Sequence, residues 1–167
     1  MSPRAAWRLE SLGFTEVYDY GPGKQNWLAA GLEVEGERAD LVRAGHVARA
    51  DAPTCLLDDR VGDVRAGLEG TGFDTCIVVN EERVVFGVLR PKQLEGDDDR
   101  TAEKAMAPGP STFRPHVSAA DLGEYMIRHD LANAPITTGE GVLVGLLLRE
   151  DASRVALEKH QEHEHGE

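Results

Sequence analysis

The sequence predicts an α/β protein in which two tandem β-α-β-β-α repeats with pseudo-twofold symmetry follow an amino-terminal helix-strand-helix piece. Three observations lead to this fold class. Residues 1–37 carry both Trp and two of the three Tyr. Beyond them, short runs of Val, Leu and Ile alternate with helical patterns. The same region also repeats itself at a fixed offset, which is the signature of duplicated units.

The amino-terminal piece has clear helix and turn signals. "PRAAWRLESLG" predicts a helix over 3–13, and "EVYDY" predicts a strand over 16–20. A Gly-Pro-Gly turn follows, and "KQNWLAAG" predicts a second helix over 24–31. We therefore assign residues 1–37 to a separate piece that has no sheet of its own.

The repeat is visible when Gly87 is set on Gly145, which are 58 residues apart. The same offset places Thr54 on Thr112 and Val84 on Val142 without a gap. It gives a first repeat at 38–98, a second at 99–157 and a polar His/Glu tail at 158–167. Two such units should pack against each other, because one alone leaves a face of its small sheet uncovered.

The second repeat illustrates the predicted elements, which are one outer strand, a hairpin of two strands and two helices. "NEER" and "TGEG" at corresponding positions predict the hairpin turns of the two repeats. In order, the pieces are "STFRP", "SAADLGEYMIRHDL", "APITT", "GVLVGLLL" and "EDASRVALEKH".

Assembly follows from the apolar stripes of the repeat helices. We expect four of their residues to contact partly the other repeat and partly a second chain in a homodimer. They are Val64, Leu68, Leu122 and Met126.

Composition limits the function. The net charge of −12 repels phosphate backbones and anionic lipid, so neither nucleic acid nor membrane is expected as a partner. No apolar run approaches the roughly 20 residues of a membrane span, and no signal peptide is recognisable, so we expect a cytoplasmic protein. Cys55 and Cys76 lie in apolar strand-like runs, where Cys commonly serves as a small hydrophobe.

The end of the second repeat resembles a known family. "GVLVGLLLRED" is an apolar strand that ends in Glu150 and Asp151. A repeated β-α-β-β-α unit that closes with Gly, two apolar residues and an acid six residues after the Gly resembles a CBS (cystathionine-beta-synthase) domain pair, or Bateman module. The resemblance covers about 42–157. It implies a module, commonly dimeric, with clefts between the repeats that hold adenosyl ligands such as AMP, ADP, ATP or S-adenosylmethionine.

The chemistry expected of Asp151 is hydrogen bonding to a ribose. An ionised carboxylate at the start of a helix can accept from both the 2′- and 3′-hydroxyls. The alternative is that Asp151 only caps the last helix. Leu148 stands where the family often has a hydroxyl, and Glu150 adds a negative charge that disfavours phosphate. On the facing side, where a strand of the first repeat begins, we expect the backbone to contact the base. The residues are Asp74, Thr75 and Cys76, with Thr54 nearby.

The first repeat departs further from the family pattern. Gln93 stands in the place of the acid, and Arg90 in the place of the hydroxyl. Glutamine cannot hold a ribose diol with charge, so at most one adenosyl site per chain is expected. Arg90 and Lys92 can meet an anion or form surface salt bridges.

The amino-terminal piece resembles the carboxyl-terminal end of a rhodanese domain, with Ser2-Pro3-Arg4 similar to the end of its catalytic loop. The nucleophilic Cys of that family would precede Met1, so no sulfur transfer is expected.

The expected function is therefore a non-catalytic regulatory module that senses an adenosyl ligand at one site. The alternative is a dimerisation or interaction platform that no longer binds nucleotide. No cofactor is required, and no metal site is expected. The tail histidines and the run Asp97–Asp99 are more simply explained as solvated segments.

Overall fold

The computed structural model describes residues 8–18, 27 and 41–164, and divides the chain into two compact units, Met1–Asp40 and Leu41–Glu167. In the first unit, residues 8–11 are helical, and the turn after them is closed by Gly13 at a φ of 95°. Of the strand predicted over 16–20, residues 16–18 are not in a strand, and 19–20 lie outside the described residues. Most of the second predicted helix also lies outside them.

The second unit contains twelve helices and strands within its described part. They are α1 (Ala44–Val47), β1 (Thr54–Cys55), α2 (Val61–Leu68), β2 (Cys76–Val79), β3 (Val85–Leu89), α3 (Pro91–Leu94), α4 (Ala102–Ala105), β4 (Ala107–Pro108), α5 (Ala119–Arg128), β5 (Asn133–Thr137), β6 (Leu143–Leu148) and α6 (Arg149–Glu164).

Two sheets organise this unit. In the first sheet, β1 is parallel to β2, β2 is antiparallel to β3, and β3 is antiparallel to β4. In the second sheet, β5 and β6 form an antiparallel hairpin. Single bridges extend this hairpin on both sides, from Phe113 to Ile136 in parallel and from Arg49 to Leu146 in antiparallel. The second sheet thus has the same order as the first, with outer strands reduced to one residue each.

The 58-residue offset also relates the hydrogen bonds. Ala44 N donates to Val117 O, and at the corresponding positions Ala102 N donates to Asp59 O, both at 2.8 Å. The helix at the start of each repeat therefore bonds to the other repeat. The bridge between Val84 and Val142, which occupy equivalent positions, joins the two hairpins.

The core has three parts. One cluster packs α2 on the first sheet, and a second packs α5 and α6 on the β5–β6 hairpin. The third lies between the hairpins and contains Ile77, Val79, Leu143 and Leu146. The continuous apolar runs of β2 and β6 are explained by this burial on both faces.

The structure corrects the predicted assembly surface. Val64 and Leu68 belong to the first cluster, and Leu122 and Met126 to the second, all at most 9% exposed. They are buried within the chain and are not available to a second one. The apolar stripes predicted from periodicity face the chain's own sheets.

Three predicted elements also differ in length. "STFRP" forms only the single bridge at Phe113, because Pro110 and Pro115 lack the N–H that a longer strand needs. The helix that ends the first repeat, α3, is a single turn followed by Gly96 at a φ of 95°. The last helix reaches Glu164, so most of the predicted tail is helical in its backbone.

No helix in the described part of the chain is long and apolar enough to cross a bilayer.

Candidate ligand cleft between the repeats

A cleft of about 340 Å³ opens between the two repeats. One wall is the loop before β2. The other is formed by the start of β5, the end of β6 and the start of α6. The lining residues are Gly72, Phe73, Asp74, Ala132, Asn133, Leu148, Arg149 and Glu150.

The hairpin of the second repeat sets the geometry of one wall. Asn133 opens β5 and pairs with Leu148, the last residue of β6. The chain then enters α6 directly, so Arg149 and Glu150 follow at the mouth of the cleft. The abrupt change from apolar to charged residues in the sequence therefore coincides with the edge of this cleft.

Asp151, in the first turn of α6, is 5% exposed. Its Oδ2 accepts from Nε of Arg49 at 2.8 Å, and its Oδ1 accepts from Nη2 of Arg154 at 2.8 Å. Both carboxylate oxygens are thus hydrogen-bonded to guanidinium groups. A buried carboxylate with two such partners is held in a fixed orientation.

Arg49 connects the two repeats at this edge. Its backbone exchanges hydrogen bonds with Leu146, and its guanidinium lies 5.7 Å from the ring centroid of Phe73, on the opposite wall. It also contacts the exposed Glu150 at 3.3 Å. The hydrogen bond to Asp151 is the main cause that raises the pKa of Arg49.

A short polar network joins the two walls, because Asn133 belongs to the second repeat and Thr75 to the first. Asn133 Nδ2 donates to Thr75 Oγ1 at 2.9 Å, and the Thr75 hydroxyl donates to Asp74 Oδ1 at 2.9 Å. Thr75 and Asn133 are 1% and 5% exposed and are 58 residues apart, so this bond joins equivalent positions of the two repeats. The Oδ1 atom of Asn133 is buried and has no hydrogen-bond partner.

The sequence-predicted residues fall into two groups. Leu148, Glu150 and Asp74 line the cleft, while Thr75 and Asp151 lie directly behind its walls through the contacts above.

Thr54 and Cys76 are not among the lining residues. Thr54 is exposed on β1, and Cys76 packs in the cluster beneath α2. Both cysteines are free and buried in the core. The hydrogen bond with Cys55, and to a smaller extent burial, raises the pKa of the Cys76 thiol. A contact of the Cys76 backbone with a ligand stays a prediction.

Sequence reasoning missed Asn133, Phe73 and Arg49. Asn133 is a polar residue at the start of an otherwise apolar strand, and that signal was available. Arg49 could not be found in this way, because the partner of its side chain lies 102 residues away in sequence.

The corresponding position in the first repeat has a different role. Gln93 accepts from the backbone N–H of Arg90 at 3.3 Å at the start of α3. Its side chain is therefore used locally, and the expectation of at most one adenosyl site per chain stays a prediction.

The described residues contain no group of three or more His, Cys, Asp or Glu side chains that could hold a metal ion. Asp98 pairs with Arg65 at 2.7 Å, and the carbonyl of Asp99 accepts from Arg60.

The chain is similar to known proteins in sequence and in fold. Residues 102–158 match the family model of the CBS domain. The chain is also 29% identical over 82 residues to the uncharacterized protein YtoI of Bacillus subtilis. It spans about a fifth of that relative's length, since the match covers 48% of this chain and 19% of YtoI.

Three solved structures share the fold. A putative acetoin utilization protein from Vibrio cholerae has a TM-score of 0.65 at 16% identity, covering 76% of this chain and 98% of that one. CBSX2 in complex with AMP gives 0.63 at 17%, with 71% and 98% covered. The CBS domain pair of protein MJ0100, in complex with 5′-methylthioadenosine and S-adenosyl-L-methionine, gives 0.61 at 15%, with 71% and 98% covered. Residues 102–158 thus match the CBS domain in sequence, and the fold of this chain is similar to that of CBS-pair proteins.

Proposed function

We propose that this chain is a non-catalytic regulatory module that senses one adenosyl ligand, such as AMP, ADP, ATP or S-adenosylmethionine, in the cleft between its repeats. The observation that carries the proposal is the cleft itself, because its walls come from both repeats. A ligand there would contact both hairpins at once and so couple their positions. CBSX2 binds AMP, and MJ0100 binds S-adenosyl-L-methionine, which supports this ligand class.

The ribose is expected at the Asp151 edge of the cleft. A carboxylate oxygen has two lone pairs. Each oxygen of Asp151 has one guanidinium partner and keeps one acceptor position for a hydroxyl. We further infer that the side of the base faces Asp74 and Thr75, with Leu148 beneath the sugar.

Calorimetric titration of the chain with AMP and with S-adenosylmethionine tests this proposal. Asp151→Asn should weaken binding about tenfold to a hundredfold, since it removes charged hydrogen bonds. Gln93→Ala, at the equivalent position of the first repeat, is the matched control and should leave the affinity unchanged. Equal affinity in wild type and Asp151→Asn would place the ligand elsewhere.

A second candidate function is a dimerisation platform that binds no nucleotide. The pairing of Asp151 with Arg49 and Arg154 favours it, because a carboxylate used for structure needs no ligand. A homodimer would use apolar residues that remain exposed on the helices, among them Ile127 and Leu157, which are 59% and 64% exposed. Sedimentation should then show a dimer that Ile127→Lys weakens and Leu56→Lys, on the first repeat, does not.

We also infer that residues 1–37 are a rhodanese-like remnant without sulfurtransferase activity. The chain has two cysteines, and both are buried. Thiosulfate and cyanide should therefore yield no thiocyanate above the level of a Cys55→Ser, Cys76→Ser double variant.

A further inference from the structure

The orientation of the Asn133 amide follows from its neighbours. Thr75 has one hydroxyl proton, and it is donated to the carboxylate of Asp74, which can only accept. Thr75 Oγ1 must then act as the acceptor toward Asn133. The atom of Asn133 that faces Thr75 is therefore the amide nitrogen, and the amide oxygen must point elsewhere.

The amide oxygen accepts no hydrogen bond. Oδ1 of Asn133 is buried without a hydrogen-bond partner, on a residue that lines the cleft and is 5% exposed. An unsatisfied buried acceptor is costly, and native structures rarely keep one without a reason. Flipping the amide would not remove the cost, because Oδ1 would then face the lone pairs of Thr75.

We infer that Asn133 is the residue that determines base specificity in this cleft, with its Oδ1 accepting a hydrogen bond from an exocyclic amino group of the ligand. The inference rests on the proposed function, since it needs a ligand in the cleft. A 6-aminopurine supplies the missing donor. A 6-oxopurine presents a second acceptor to Oδ1 and is rejected.

Thr75 is the positioning residue for this discrimination. It holds the amide nitrogen and so directs the oxygen away from itself. Thr75→Val keeps the shape of the side chain but removes that hold. The amide can then present either its oxygen or its nitrogen, so the preference between amino and oxo bases should be lost while both still bind.

Calorimetric titration of the full chain with adenosine, purine riboside and inosine tests the assignment, each also as its 5′-monophosphate. These three bases carry at C6 an amino group, a hydrogen and an oxygen. Wild-type affinity should fall in that order, with adenosine about tenfold to a hundredfold tighter than inosine. Asn133→Leu should bring the three affinities within about threefold of one another.

Thr137→Val is the matched control. Thr137 is a fully buried polar residue at the opposite end of the same strand. Removing its hydroxyl should leave the order of the three binding affinities unchanged. If Asn133→Leu does not fold, Asn133→Ala serves in its place, and the wild-type order needs no variant.

The outcomes separate the inference from the proposed function. Binding of all three bases with equal affinity, or an unchanged order in Asn133→Leu, overturns the role of Asn133 and leaves the ligand cleft standing. Absence of binding by every nucleoside and nucleotide overturns both.

Discussion

At the scale of single residues, the cleft edge depends on one buried carboxylate between two arginines. Asp151 is the one charged side chain that the described part of the chain buries. Removing this buried carboxylate takes away both of its charge-assisted hydrogen bonds, so it should change stability more than the loss of a surface ion pair does. Asp151 therefore has a structural role whether or not a ribose binds to it.

Asp151→Ala should lower the free energy of unfolding by about 1.5 to 3 kcal/mol, since two charge-assisted hydrogen bonds are lost. Asp130→Asn is the comparison, because the Asp130 side chain is 98% exposed and pairs with Arg149 at 3.2 Å, and Asn tolerates the positive φ of this position. Its effect should stay below about 1 kcal/mol. Urea denaturation of both variants measures the difference, and equal losses would contradict the role of Asp151.

The His116 imidazole gives a pH dependence. Desolvation, and then the charges of Arg43 and Arg114, lower its pKa below the ordinary value. The unfolded chain therefore binds a proton at His116 before the folded chain does. Stability should fall as pH drops through about 6.5, the unfolded pKa, and level off below the folded one.

Thermal denaturation from pH 7.5 to 5 measures this contribution. The melting temperature of His116→Gln should fall less over this range than that of the wild type. Parallel curves for the two proteins would show that His116 does not contribute.

At the scale of elements, the repeat predicted from the sequence accounts for both hairpins and for α2, α5 and α6. Their periodicities are local, so they can be read from a single stretch of chain. The exchange of α1 and α4 between the repeats could not be predicted in this way. Each is one turn long and pairs with residues far away in sequence, and no local pattern encodes the partner. The contact of Arg49 with Asp151 at the cleft could not be predicted for the same reason, because the two residues are far apart in sequence.

Two glycines at equivalent positions test how tightly each sheet is packed. A Cβ on Gly145 would lie 2.8 Å from the backbone oxygen of Arg49, and a Cβ on Gly87 would overlap Sδ of Met106 and lie 2.9 Å from its Cβ. Because the Met106 Cβ is fixed to its backbone, neither position can take a methyl group without a backbone shift. Gly145→Ala and Gly87→Ala should each cost about 1 to 3 kcal/mol of unfolding free energy. Denaturant titration measures both losses, and a loss near zero for either variant would contradict the close packing at that glycine.

At the scale of the whole molecule, the two repeats of the second unit share part of one core. The third core cluster lies between the hairpins, and each repeat is completed by a helix from the other. The family match at 102–158 therefore covers less than the folding unit. Two residues that complete the matched region lie outside that range. Arg49 forms the bridge to Leu146, and Ala44 donates its backbone hydrogen bond to Val117.

Fragments of the chain should show this dependence. We expect residues 41–167 to unfold in one cooperative transition and residues 102–167 alone to give no cooperative transition. Adding residues 41–100 to the shorter fragment should restore it, because that fragment supplies α1 and the Arg49 bridge. Circular dichroism during urea titration measures each case. Cooperative unfolding of 102–167 by itself would show that the repeat is autonomous.

The bridge between Arg49 and Leu146 also imposes an order on biosynthesis. Arg49 leaves the ribosome early, and Leu146 follows 97 residues later. At about 5 to 20 residues per second, that delay is roughly 5 to 20 seconds. During this time the first repeat can close on its own hairpin, while α1 and Arg49 stay without a partner. The nascent chain thus carries a free sheet edge throughout this interval, until Leu146 has emerged and can pair with Arg49.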